Sequence, residues 1–253
     1  MIQQPPKSTA AVRPLVAFEG ARVLYLGPAL GLKPHRNAAS TLAIGLDTPV
    51  RLTLYEDQSG SVTTTESFIA HIPSGHHHRL EAEGMMAFLY LDALSDDVGQ
   101  VASLDIPASH SAIATENRAA IRFWSLERWR TVLGVSTPEM IDPRAAAVAR
   151  SMADDPNIYQ SLAEAARAAA LSPTRFHAVF RRQVGAPFRR YRLWRRMGSA
   201  MAALASGANL TEAAFEAGFS SSAHFSHQFL RMFGLPPSAL MALKPEIRCE
   251  RQA

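Results

Sequence analysis

Apolar positions recur along the chain with two different periods, and the change of period divides it. Up to about residue 92 they come in short runs: ARVLYLG (21–27), STLAIGL (40–46), VRLTLYE (50–56), SFIAHIP (67–73) and MMAFLYL (85–91). In the third run Val50, Leu52 and Leu54 alternate with Arg51 and Thr53, the period of a strand with one buried face. Turn formers such as Asp57-Gln58-Ser59-Gly60 and Ser74-Gly75 separate the runs. Short strands at this spacing predict a sandwich or barrel, of which the jelly roll is one form. Residues 1 to about 12 read as a polar leader, and residues 92–112, with Asp96-Asp97-Val98-Gly99 and Ile106-Pro107, as a loop.

Beyond the loop the step becomes three and four. Ile121, Phe123, Trp124, Leu126, Trp129, Val132 and Leu133 predict one helix over about 117–133 ended by Gly134, with an apolar surface wider than one core-facing stripe needs. Asp142-Pro143 opens another helix to about Met152, and Asp154-Asp155-Pro156 marks a domain junction. The expected division is therefore residues 1–155, with the barrel over 15–92 and helices over 117–152, and residues 156–253.

The second part contains a repeat. Residues 163–187 lie on residues 212–236 at a displacement of 49, pairing Ala165 with Ala214, Ser172 with Ser221, Phe176 with Phe225, Phe180 with Phe229, Gly185 with Gly234 and Pro187 with Pro236. In each copy an Ala-rich helix ends at a small residue (Ala169, Gly218), and Ser172 or Ser221 stands where it can cap a second helix. That helix stops at Gly185 or Gly234, with proline two residues on. These are two helix-turn-helix units, over about 161–184 and 211–233.

The second helix of each copy buries one face, with Phe176, Val179 and Phe180 in the first and Phe225 and Phe229 in the second. Thr174, His177, Ala178 and Arg181, with Arg175 at the edge, are left outside in the first copy, and Ser222, Ala223, Ser226, His227 and Arg231 in the second. These are the candidates for touching bases, while the helix starts at Ser172 and Ser221 and the arginines Arg181, Arg182 and Arg231 suit phosphates. An ordinary solvated face is the alternative for one such helix, and two copies at fixed spacing weigh against it. Between the copies, Tyr191, Trp194, Met197, Met201 and Leu204 predict a helix from Pro187 to Ser206. About twenty residues of helix span about 30 Å, close to the roughly 34–36 Å between successive major grooves on one face of DNA.

Charge follows the same division. Residues 156–253 hold 13 basic and 5 acidic side chains, a net of +8, whereas the remainder is −4. Such asymmetry points to a nucleic-acid-binding end and a different partner for the rest. The single cysteine, Cys249, excludes an intrachain disulfide and a cysteine-based zinc cluster. The start MIQQPPKSTA is not a secretory signal and no run of eighteen apolar residues occurs, so a soluble, cytoplasmic protein without a membrane segment is expected.

Residues 156–243 resemble the DNA-binding domain of the AraC/XylS family of bacterial transcription regulators. The resemblance is carried by Leu162-Ala163, Ser172, Phe176, Phe180, Gly185-Ala186-Pro187, Tyr191, Thr211-Glu212-Ala213-Ala214, Gly218-Phe219, His224-Phe225-Ser226, Phe229, Phe233-Gly234 and Pro236. Ala178 stands where many relatives carry a basic residue, and His227 where arginine is common. Pro73-Ser74-Gly75-His76-His77-His78, with His35-Arg36-Asn37 upstream, is similar to the cupin metal-binding pattern, but Asn37 replaces the second histidine of the upstream pair.

What the resemblance implies is an N-terminal cupin-like sensing domain with flanking helices, followed by an all-α tandem helix-turn-helix joined by a long linker helix. Double-stranded DNA is the expected partner, with a small-molecule effector, RNA polymerase and a second copy through the 117–133 helix. His35 and His78 are the expected effector-pocket residues. No catalytic residue, metal or cofactor is assigned. A metal-dependent cupin enzyme with an appended DNA-binding domain and a DNA-binding protein without an effector are the alternatives.

Overall fold

The computed structural model describes residues 13–19, 21–56, 60–91, 106–116, 118–135, 142–184 and 186–250. The expected leader, the Asp57-Gln58-Ser59 turn, the Asp96–Gly99 segment, Gly185 and the side chain of Cys249 lie outside the described residues.

Among the described residues ten strands form two sheets. The six-stranded sheet has the order β10-β1-β2-β9-β4-β7, from β1 (Leu15–Glu19), β2 (Arg22–Pro28), β4 (Thr41–Gly45), β7 (Ile69–Ile72), β9 (Met85–Tyr90) and β10 (Glu246–Glu250). The four-stranded sheet has the order β3-β8-β5-β6, from β3 (His35–Arg36), β5 (Val50–Tyr55), β6 (Val62–Ser67) and β8 (His77–Glu81).

The larger sheet is buried on both faces. Leu15, Ala17, Leu24, Leu26, Leu42, Ile44 and Leu89 point to one side, where Ile113, Ile121, Leu126, Trp129 and Leu133 cover them. Val16, Tyr25, Ala43, Phe88 and Tyr90 point to the other, sharing a core with Val50, Leu52 and Leu80 of the smaller sheet. Burial on both sides is why the run at 85–91 is continuously apolar rather than alternating.

Two sequence expectations change in the covering helices. The loop expected over 92–112 gives way to α1 (Ile106–Ala114), because proline is tolerated in a helix's first turn. The single helix expected over 117–133 is two, α2 (Arg118–Ile121) and α3 (Leu126–Val132). Ser125 breaks it by capping α3, its side chain accepting from the Arg128 amide at 3.1 Å. The break sends Ile121, Leu126, Trp129 and Leu133 inward and leaves Phe123 75% exposed, so most of the surplus apolar surface is consumed within the monomer.

The helical part comprises α4 (Pro143–Asp154), α5 (Leu162–Ala168), α6 (Pro173–Val184), α7 (Phe188–Ala205), α8 (Leu210–Glu216), α9 (Ser222–Phe233) and α10 (Pro237–Ala242). Although α4 precedes the expected junction, its face of Ala145, Val148, Ala149 and Met152 packs with Phe176, Phe180 and Tyr191. By packing it goes with the helices that follow.

The chain then departs from an all-α ending. After α10 it runs as β10 in parallel beside β1, with Leu15 opposite Glu246 and Glu19 opposite Glu250. Side chains reinforce the pairing: Arg13 Nε donates to the Lys244 carbonyl at 2.6 Å, and Arg122 bonds the Arg13 carbonyl and Glu246, the latter at 2.9 Å. The polar EIRCE run gives little apolar signal, and its partner lies at the other end of the sequence.

Candidate nucleic-acid interface and interdomain cavity

Each helix-turn-helix is built as its chemistry demands, with one difference between the copies. The hydroxyl of Ser172 accepts from the Arg175 amide at 3.2 Å, and that of Ser221 from the His224 amide at 3.0 Å, so both cap the helix that follows. The helices α6 and α9 correspond at a displacement of 49, but α5 and α8 correspond at 48. The left-handed position that ends the first helix falls at Ala170 in one copy and Gly218 in the other. The second turn is therefore one residue longer, carrying Phe219 and Ser220 where the first carries Leu171 alone. A single displacement does not hold through the whole repeat.

The predicted contact residues occupy the outer faces. Ser172, Thr174, Arg175, His177, Arg181 and Arg182 are exposed at α6, as are Ala223, His227 and Arg231 on α9, while Ser221, Ser222 and Ser226 are half-buried. The inner faces differ in what they pack against. Phe176 and Phe180 form an aromatic core with Phe188 and Tyr191 and with α4. Phe225, Phe229 and Met232 instead belong to the same core as the sheets.

The 18-residue α7 joins these two arrangements. Phe188 and Tyr191 at its start serve the first unit, whereas Trp194, Met197 and Met201 further along enter the core of the sheets. The Trp194 indole donates to the Ala21 carbonyl at 2.9 Å, and its ring lies 5.3 Å from Tyr90 and 5.8 Å from Phe233. Arg196 ties α7 to the second unit, donating to the Ala217 carbonyl at 2.7 Å and lying 4.4 Å over Phe219.

The end of α9 is pressed onto the smaller sheet. Gly234 is left-handed (φ 75°), and a side-chain carbon there would stand 2.5 Å from the Lys33 carbonyl oxygen and 2.7 Å from His35 Nδ1. Only glycine satisfies both the conformation and the approach. The Lys33 amide donates to the Gly234 carbonyl at 2.8 Å.

His35 and His78 are brought together as direct partners in the β3–β8 ladder, with ring centroids 4.2 Å apart and exposures of 4% and 1%. Their Nδ1 atoms lie 2.8 Å and 3.0 Å from the Lys33 and His76 carbonyl oxygens. Burial, then the neighbouring His35, holds His78 down to about 4, and burial lowers His35 as well. Among the described residues no group of three His, Cys, Asp or Glu side chains could hold a metal ion.

Neither histidine lines the cavity between the domains. That space, about 280 Å³, lies between the larger sheet and the helices. Val16, Phe18, Val23, Tyr25, Phe88 and Tyr90 form its sheet wall, and Trp194, Met197, Met201, Phe229, Phe233 and Leu240 its helical wall. Burial pushes the Tyr25 and Tyr90 phenols up, so both stay neutral. Arg195 also borders it, with Nη2 donating to the Ala153 carbonyl at 2.9 Å while its buried Nε has no partner. The sequence hides this site because its walls come from segments far apart along the chain. Its one sequence signal is the apolar pair Trp194 and Met197 on the predicted connecting helix.

A paired helix-turn-helix on a common helix, packed against a β-rich domain, defines the class. Residues 165–242 match the family model described as a helix-turn-helix domain, and the chain carries an AraC-type helix-turn-helix domain in its C-terminal part. No curated protein sequence matches the chain.

Among solved structures it is similar to ToxT from Vibrio cholerae, at 11% identity over 88% of this chain and 97% of that one, with a TM-score of 0.53. ToxT bound to an unsaturated fatty acid matches at 10% identity, 87% and 94% coverage and a TM-score of 0.52. ToxT bound to (E)-4-(8-methylnaphthalen-1-yl)but-3-enoic acid matches at 12% identity, 87% and 97% coverage and a TM-score of 0.52. At these identities the likeness is one of fold: two domains, β-rich sheets followed by helices. No described helix is long and apolar enough to cross a membrane.

Proposed function

We propose that the protein is a DNA-binding transcription regulator whose second helix-turn-helix is set by an amphipathic small molecule in the interdomain cavity. The observation that carries this reading is the asymmetry of the two units. The inner face of α9 shares a core with the sheets and borders the cavity, whereas α6 has a core of its own. A molecule entering the cavity would bear on Phe229 and Phe233 and so on the pose of one recognition helix relative to the other.

The readout is assigned to the exposed faces. His177 and Arg181 offer longer reach than Ser222, Ala223 and Ser226, and short side chains discriminate few base edges. The first half-site should therefore be the more sharply specified. His177→Ala is expected to relax base preference there by about 1–3 kcal/mol, whereas Arg182→Ala weakens all sequences alike and flattens the salt dependence. Selection from randomised duplexes with wild type and both variants tests this, and an unchanged motif for His177→Ala sinks the assignment. The same selection reports on a homodimer, for which exposed Phe123 beside half-buried Trp124 remains as surface. A two-fold pair of sites is expected from a dimer and one composite site from a monomer.

The effector reading commits to chemistry: an apolar body with an anionic head directed at Arg195. The two carboxylic acids bound by ToxT have this character. A long-chain fatty acid at about 100 times its Kd should stabilise the protein by about 2.7 kcal/mol. In Arg195→Gln the acid should lose its advantage over the matching alcohol. Equal stabilisation of wild type and variant by acid and alcohol would remove the anionic head from the proposal.

A further inference from the structure

Where the two domains meet beside α6, positive charge is gathered against two physical preferences. The turn at Ser74-Gly75 runs between two guanidinium groups. Arg36 Nη1 donates to the Gly75 carbonyl at 3.1 Å. Arg190 covers the other side, so closely that a side-chain carbon on Gly75 would stand 2.0 Å from its Nη1.

Gly75 is left-handed (φ 80°), so the backbone conformation and the guanidinium both require a residue without a side chain. Arg190 is half-buried, and the charged groups acting on it are Arg36 and Arg181. It also lies in the first turn of α7, which has no acidic residue and no side-chain cap. Cations are disfavoured at that end of a helix, where the macrodipole is positive. Like charges converging from β3, α6 and α7 at a helix start make a receptor for an oxyanion.

We propose that Arg36, Arg181 and Arg190 form a phosphate site at the seam between the domains, through which the sensing domain touches the DNA backbone beside the first recognition helix. The site rests on the DNA-binding reading for its source of phosphate. Arg181 is one helical turn from His177 on the exposed face of α6, so a phosphate flanking the bases read by that face would be the one gripped. Arg36 belongs to the sensing domain, so the grip forms only while the domains keep this arrangement. Backbone contact of this kind positions the protein without reading sequence.

The test uses the full chain with Arg36→Gln, Arg190→Gln, the charge-preserving Arg36→Lys, and Arg79→Gln as a control on an exposed face. Affinity for a duplex of mixed sequence is measured against salt, and melting is followed in inorganic phosphate and in chloride of equal ionic strength. Each Gln variant should lower the slope of log affinity against log salt by about 0.9 per lost phosphate contact, with Arg36→Lys and Arg79→Gln close to wild type.

If the slope holds but phosphate raises the melting temperature of wild type and not of the Gln variants, the site takes free phosphate instead. Unchanged slopes together with no phosphate-specific stabilisation overturn the site. Wild type that fails to bind the duplex at low salt defeats the DNA-binding reading, and the melting arm then decides the site alone.

Discussion

Trp194→Ala is expected to destabilise the protein by about 3–5 kcal/mol, the range for removing a large buried aromatic side chain, and to loosen the hold of the sheets on the helices. Trp194 is 5% exposed and lies between Tyr90 of the sheet and Phe233 of the second unit. Its loss also leaves the Ala21 carbonyl without the indole donor, adding the cost of an unpaired buried acceptor. The first unit should be spared, because its core is formed by α4, α6 and the start of α7. Chemical denaturation followed by protease resistance of each half would then show two transitions where wild type shows one. A single transition at the wild-type midpoint would mean that α7 is not the principal tie.

Acid should act on the same region through the paired histidines. In the unfolded chain His78 takes up a proton as pH falls through 6.5, whereas in the folded protein burial and the neighbouring His35 delay uptake to about 4. The unfolded state therefore binds more protons between these values. Stability that is complete above pH 6.5 is lost as pH falls toward 4 and levels off below it, by about 3 kcal/mol from His78 alone.

His35 adds loss in the same direction. Because His35 lies against Gly234, protonation burdens the contact that holds the end of α9. Free energies of unfolding measured from pH 7 to 4 should slope upward with pH in wild type and less steeply in His78→Phe. The same slope in both would locate the titration elsewhere.

The sequence was most legible where each residue's role is local. The alternation of Val50, Leu52 and Leu54 marks β5, and the capping serines with the paired phenylalanines mark α6 and α9. Legibility ended where a partner from elsewhere decides the outcome. The VTTTES run of β6 is exposed along nearly its whole length, so it shows no alternation, and its pairing with β5 makes it a strand. The break between α2 and α3 did have a signal in Ser125, but the aromatic residues on either side preserved a helical period across it. The extra residue in the second turn was hidden because Ala165 falls on an alanine at either displacement, Ala213 at 48 and Ala214 at 49. Beyond Trp194 and Met197 on α7 the cavity had no local pattern, and the arginine seam had none, since Gly75 and Arg190 meet only after both domains have formed.

The pairing of β1 with β10 also orders events during synthesis. Leu15 meets Glu246, so the first strand of the larger sheet waits for its outer neighbour while some 230 residues are made, roughly 10–45 s at ordinary elongation rates. Throughout that interval the apolar LVAFE segment can pair internally with β2 but offers its other backbone edge to any neighbouring chain. β10 thus acts as a guard for β1, and polypeptides interrupted before residue 246 carry an unprotected edge that longer ones have closed.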